Sequence, residues 1–152
     1  MTETVPSGSA SDEDSNVHMN YALVSALVAF AVAQAIKLVG SGGMPSSHSA
    51  TVTALAAAVG FQDGIGGTTF AIALILACVV MYDASGVRLH AGRQAELLNQ
   101  IVYELPAEHP LADSRPLREL LGHTPPQVAA GALLGFFTAA IVHLITQAAT
   151  MG

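Results

Sequence analysis

The sequence predicts an all-α fold: an integral membrane helical bundle of about four spans, plus one amphipathic helix lying along the interface. Three observations carry this. Apolar residues make up 52% of the 152-residue chain and charged residues only 11%, far below the ~25% charged fraction of soluble domains. Ala and Gly are abundant and Trp is absent, a composition that lets helices approach closely in lipid. Long uncharged runs recur, separated by glycine turns and helix caps. The length suits one domain. The single Cys78 excludes an internal disulfide and a multi-cysteine zinc site and reads as packing. The net charge of −6 says little about partners, since four of the eleven acids fall in the first 14 residues. No nucleic-acid partner is expected.

Residues 1–20 are polar and acidic and read as a disordered tail, without the marks of a secretory signal or transit peptide. Residues 21–152 read as one membrane-embedded domain. Tyr21 to Val39 is the first apolar run, nineteen residues with one charge, Lys37; at ~1.5 Å per residue it crosses a ~30 Å hydrocarbon layer. Lys37 reads either as a snorkelling residue or as part of a site. Ser41 to Ser49 is a turn that delivers His48 into the first turn of a helix. Its glycines permit a tight bend, Pro45 keeps Met44 out of the helix, and Ser46 and Ser47 are both good N-caps.

The second helix, Ser46 to Phe61, is only weakly hydrophobic and is expected to be shielded by its neighbours. A glycine turn leads to the third, Thr68 to Tyr82, which at fifteen residues reaches only ~22 Å. Asp83 to Arg88 is expected to end that helix and open the amphipathic one, Val87 to Leu105, in which apolar and polar positions interleave at helical spacing. A polar loop follows, Leu117 to Leu121 suggests a short helical turn, and Thr124 and Pro125 form an N-cap and first helical residue. The last span, Val128 to Ala149, carries a Gly131-x-x-x-Gly135 pattern suited to close helix contact, including a homo-oligomer through that face. His143 within it reads as a bundle-facing histidine bonded to a backbone carbonyl.

Span parity gathers Lys37, Ser46, Ser47, His48, Asp83, Arg88 and His123 at one face of the bundle. All five Lys and Arg residues share it, so the positive-inside rule makes that face cytoplasmic (or stromal in a plastid), with both termini opposite. Two histidines, a lysine, an arginine and a helix N-terminus suit metal-independent phosphoryl transfer. Cations and N–H groups would hold phosphate oxygens, one imidazole would attack phosphorus, and the other would protonate the leaving oxygen. A metal site built from His48, His123 and Asp83 is the competing reading; the adjacent Lys37 and Arg88 oppose it.

Four segments then carry a family likeness: SGGMPSSHSA (41–50), MYDASGVR (81–88), AGRQAELLN (91–99) and LGHTPPQVAAG (121–131). Together they resemble the acid phosphatase/vanadium-dependent haloperoxidase-related membrane family (YuiD-like), a divergent branch of the type 2 phosphatidic acid phosphatase superfamily. That superfamily has motifs K-x6-R-P, P-S-G-H and S-R-x5-H-x3-D. The resemblance implies that His123 is the phosphate nucleophile and His48 the general acid. Pro45-Ser46-Ser47-His48 matches the second motif with Ser47 in place of Gly. His123-x3-Gln127 matches the end of the third with Gln127 in place of Asp. Lys37 is the candidate for the first motif's lysine, whose arginine partner is missing. Ser114-Arg115 is out of register with His123, which leaves Arg88 as a substitute.

The resulting expectation is a membrane phosphatase-like protein, without cofactor. It would hydrolyse a phosphomonoester or pyrophosphate on a lipid or isoprenoid through a phosphohistidine. The catalytic residues would be His123, His48 and, as the carboxylate that orients His123, Asp83. Lys37, Ser46, Ser47 and Arg88 would bind substrate. The alternative is a non-enzymatic membrane protein that binds phosphorylated headgroups or a partner helix, a reading favoured by Gln127 and the missing arginine.

Overall fold

The computed structural model describes residues 20–40 and 44–151. The expected acidic tail, apart from Asn20, and turn residues 41–43 lie outside the described residues. Five α-helices follow in order: α1 (Tyr21–Val39), α2 (Ser47–Asp63), α3 (Thr68–Tyr82), α4 (Arg88–Tyr103) and α5 (Pro125–Thr150). Among the described residues there is no strand, and α1, α5 and the α3–α4 rod are each long and apolar enough to cross a membrane. The protein is a helical membrane bundle.

Asn20 caps α1 by accepting from the Leu23 amide at 3.0 Å. The helix buries a stripe of small residues, Ala22, Ser25, Ala26, Ala29 and Ala33, and turns Leu23, Leu27 and Phe30 outward. In water such an outward surface would be a large apolar liability; in lipid it is the expected exterior.

The centre of the bundle is α2, which packs against α1, α3 and α5. Ala50 and Ala54 are fully buried on it, with Ala56, Ala58 and Val59 close behind. This position explains the weak hydropathy of its sequence: neighbouring helices rather than lipid cover it. Helix α5 meets it through Gly131 and Gly135. A methyl group on Gly131 would collide with the Ser46 carbonyl oxygen, and one on Gly135 with the Ala50 carbonyl and, at 2.9 Å, the Ala54 nitrogen. The glycine pattern therefore serves close approach inside the chain. The face on which a homo-oligomer contact was expected packs against α2 within the chain.

Three further expectations change. Asp83 does not end a helix: α3 passes through a π-helical turn, Asp83–Val87, into α4, one rod of 36 residues and ~54 Å. Residues 117–121 form no helical turn. They run back beside α4, where Asn99 holds them by donating to the Leu117 carbonyl and the Glu119 carboxylate (both 2.8 Å) and accepting from the Leu117 amide (2.7 Å). The contact is close enough that a side chain on Gly92 would strike the Glu119 carbonyl, and one on Gly122 the Leu89 amide. Local propensity loses here to a tertiary clamp. Cys78 is exposed rather than packed, because α3 buries only Ala73 and Ala77.

His143 is also differently placed. Its Nε2 lies 3.0 Å from the Gln147 side-chain nitrogen, one turn on, and its ring stacks on Phe61 at 5.2 Å between centroids.

Candidate functional site

The start of α2 builds the first part of the site. The Ser46 hydroxyl caps the helix by accepting from the Ser49 amide at 3.3 Å and also bonds the Ser49 hydroxyl at 3.0 Å. Ser46, Ser47 and Ser49 are buried while His48, among them in sequence, is exposed. The Lys37 ammonium at the end of α1 donates to the Ser47 hydroxyl at 3.1 Å. The end of α1 and the start of α2 are thus tied across the turn, and Lys37 is directed inward rather than snorkelling. The Ser46 amide donates to the Gln127 carbonyl at 3.1 Å, so it is not open to a phosphate. The Ser47 and His48 amides, first-turn donors of α2, have no partner among the described residues.

The second part comes from the π-helical turn. In an α-helix the Arg88 amide would donate to the Ala84 carbonyl; here it donates one residue further back, to Asp83. The Ala84 carbonyl accepts instead from the His123 amide at 3.0 Å. One extra residue in the turn therefore anchors the segment that enters α5 and sets His123 beside the end of α3. Such π turns recur at functional sites because they re-aim the groups around them.

His123 is half-buried. Burial holds its pKa below the ordinary histidine value, and the nearby charges of Lys37, His48 and Arg88 push it the same way. Lys37, His48 and Arg88 thus bear on one imidazole from three different elements. A lowered pKa favours the neutral ring, the form able to attack an electrophile.

Asp83 goes elsewhere. Its carboxylate accepts from Arg88 Nε at 2.6 Å, with both side chains partly exposed at 38% and 53%. Among the described residues no Asp or Glu is hydrogen-bonded to the His123 ring. Gln127 does not stand in for a carboxylate in the expected way: its side-chain oxygen accepts from the Thr124 amide at 2.9 Å, half of a capping box that starts α5. Nor do His48, His123 and Asp83 form a metal-ligand cluster; among the described residues no three His, Cys, Asp or Glu come together in that way.

Of the seven expected residues, the structure brings Lys37, Ser47, His48, Arg88 and His123 to one end of the bundle. Ser46 sits beneath them as a cap and Asp83 behind Arg88. Sequence reasoning missed the Ala84 carbonyl and the Asn99 clamp. The signal for the first lay in Asp83-Ala84-Ser85-Gly86, a polar insert within a pattern that stays helical on both sides.

The chain is 38% identical to an uncharacterized membrane protein, YuiD, of Bacillus subtilis (strain 168), over 76% of this chain and 89% of that one. No solved structure matches the chain significantly. The model of the divergent PAP2 family matches residues 37–138, a span that opens on Lys37 and contains every other residue of the site. The chain belongs to the divergent PAP2 family.

Proposed function

We propose that the protein is a multi-pass membrane phosphatase that hydrolyses a phosphomonoester or pyrophosphate of a lipid or isoprenoid through a phosphohistidine on His123. The observation that carries this reading is the setting of His123: it is fixed through its backbone to the end of α3, and burial together with Lys37, His48 and Arg88 favours its neutral form. Lys37, Arg88 and the Ser47 and His48 amides would bind the phosphate oxygens and stabilise the charge that develops on them. His123 would attack phosphorus, forming the N–P bond as the P–O bond to the leaving group breaks. His48, exposed beside it, would give that oxygen its proton. Water would then attack phosphorus, releasing inorganic phosphate and the free imidazole. Asp83 would act at one remove, holding the Arg88 guanidinium. The helices α1, α2, α3 and α5 would each cross the bilayer. The site end, which carries all five Lys and Arg residues, would face the cytoplasm or its equivalent.

A lipid substrate follows from the position of the site at the end of apolar helices. The test is phosphate release by detergent-purified protein from a panel of lipid phosphates and isoprenoid pyrophosphates. Release that disappears in both His48→Ala and His123→Ala is the expected result; release that persists in both contradicts the assignment.

A second reading has its own support. The Asp83 carboxylate is engaged with Arg88 and the Gln127 side-chain oxygen with Thr124, so His123 lacks the carboxylate that would stabilise its cation. A site of this kind binds phosphorylated headgroups without cleaving them. Saturable binding of a lipid phosphate, with no release from any substrate, would favour it.

A further inference from the structure

At the opposite end of the bundle, between the start of α1 and the ends of α2 and α5, lies a cavity of about 200 Å³. Against the ~30 Å³ share of one water, it has room for a headgroup with several polar atoms. Its lining is unlike that of the phosphate site. It offers the Ser25 hydroxyl, the Gln62 and Gln147 carboxamides, Thr146 and the His143 ring, and, among the described residues, no ammonium, guanidinium or carboxylate.

Ser25 is the informative residue. It is 99% buried (relative exposure 1%), it borders the cavity, and its hydroxyl has no hydrogen-bond partner among the described residues. With the rest of the residue covered, that hydroxyl opens onto the cavity, where it can bond a polar group that enters. His143 is fixed across the space by its stack on Phe61 and its contact with Gln147.

The cavity is not closed on its outer side. It shares Tyr21, Val142, Thr146 and Thr150 with a groove of about 350 Å³ between α1 and α5, which continues over Val24, Ile145 and Ala149. That groove is almost wholly apolar and opens on the surface that faces lipid. A chamber with hydroxyl and carboxamide groups in its wall, joined sideways to an apolar groove, has the shape of an amphiphile: headgroup inside, chain along the helices. The headgroup must be neutral. A phosphate dianion here would be buried without any cation to pair with, a severe desolvation cost, whereas hydroxyl groups would satisfy Ser25 and the carboxamides.

We infer that this cavity is a second lipid-binding site, selective for an uncharged, hydroxyl-bearing amphiphile such as a lipid alcohol or an acylglycerol. It is separate from the phosphate site: His143 lies ~24 Å along α5 from Gln127. It also stands whether or not the protein is a phosphatase.

The test uses full-length protein in detergent micelles with two photoreactive probes: a monoacylglycerol with a diazirine in its chain, and its phosphorylated counterpart. Labelled positions are mapped by mass spectrometry. The neutral probe is expected to label the α1–α5 groove around Val24 and Ile145. His143→Phe keeps the ring stack, and Ser25→Ala removes a single oxygen. Each should weaken that labelling by roughly fivefold, the effect of one lost hydrogen bond, while His123→Ala leaves it unchanged. The phosphorylated probe should label the groove far less. Equal labelling by both probes overturns the inference. So does labelling that is indifferent to Ser25→Ala and His143→Phe, or labelling lost in His123→Ala.

Discussion

The two ends of the bundle are built from the same helices and do opposite things with them. At the end where α1 and α3 finish and α2 and α5 begin, backbone and side-chain bonds stitch the four elements together, and cations crowd one imidazole. The links are Lys37 to Ser47, Ser46 to Gln127 and Ala84 to His123. At the other end the contacts are an aromatic stack on a histidine and a pair of side chains one turn apart, around a cavity lined, among the described residues, by no charged side chain. The difference teaches that the lysine and arginine side chains bear on one end of the bundle rather than on both. Both ends hold a histidine, but only His123 has cations from three elements bearing on it. His143 shares its end with carboxamides and hydroxyls. A histidine's place among its neighbours, rather than its presence in a span, would separate a site for an anion from a site for a neutral group.

The comparison can be broken most sharply at His123. Replacing it with Ala should lower phosphate release by at least ~10³-fold, as loss of a nucleophile does. His143→Phe should leave release within about twofold, since it removes no group from the phosphate end and keeps the ring volume. Loss of activity in both variants, measured on folded protein, would end the distinction between the two histidines.

Removing one cation comes next. Lys37→Met should cost ~10²-fold in kcat/KM, the scale of one lost donor to a developing oxyanion. The fold should survive, because Lys37 bonds only the Ser47 hydroxyl across the turn. A steady-state assay beside a thermal unfolding curve separates the two effects.

The packing that brings α5 to α2 is tested by Gly135→Leu. The new side chain has to displace the Ala50 carbonyl and Ala54 amide region, and overpacking of this kind costs about 1–3 kcal/mol or more. Thermostability in detergent should fall accordingly, with the phosphate end disturbed as a consequence. An unchanged melting profile would mean that the α2–α5 contact is looser than described.

The pH dependence sharpens the electrostatic half of the comparison. Burial first, then Lys37, His48 and Arg88, hold His123 below the usual pKa near 6.5. The neutral nucleophile therefore persists to lower pH, and the acid limb of kcat/KM should lie below pH 6.5. Stability follows the same sign. The unfolded state takes up a proton more readily than the folded one, so the contribution of His123 is fully present above pH 6.5 and declines as pH falls through its lower folded value. Arg88→Gln removes one of the three charges and should move the acid limb upward by a few tenths of a unit. A limb that stays in place would remove Arg88 from the surroundings of His123.

The smallest effect is expected at the clamp. Asn99→Ala removes three bonds that hold residues 117–119 against α4. These bonds are exposed, so stability should change by no more than about 1 kcal/mol. Activity should fall severalfold as the segment leading to His123 loosens, and amide exchange at Leu117 should rise.

Much of this arrangement was legible from particular residues. Apolar length gave the bounds of α1 and α3, and Thr124-Pro125 marked the start of α5. Span parity alone was enough to gather Lys37, His48, Arg88 and His123. What was hidden depended on partners distant in sequence. Asp83-Ala84-Ser85-Gly86 has the composition of a helix end, but packing carries the helix through it with one extra residue in the turn. Leu117 to Leu121 favours a helical turn locally, and Asn99 overrides that. The Gly131–Gly135 pattern reports a close helix contact without saying which helix, and α2 proved to be the partner. The role of Asp83 was hidden for the same reason: spacing brought it near His123 in projection, whereas Arg88, five residues on, takes its carboxylate.

The central claim is that His123 takes up phosphorus covalently, and it can be tested without knowing the substrate. A phosphohistidine enzyme exchanges the oxygens of inorganic phosphate with water, because His123 displaces one oxygen as water and a new water restores it. The purified protein, incubated with ¹⁸O-labelled phosphate, is followed by mass spectrometry or ³¹P NMR. Time-dependent loss of the label with the native protein, and none with His123→Ala, is the predicted result. Label that stays on phosphate with folded native protein, although phosphate binds saturably, would contradict covalent catalysis and leave a protein that holds phosphate without cleaving it.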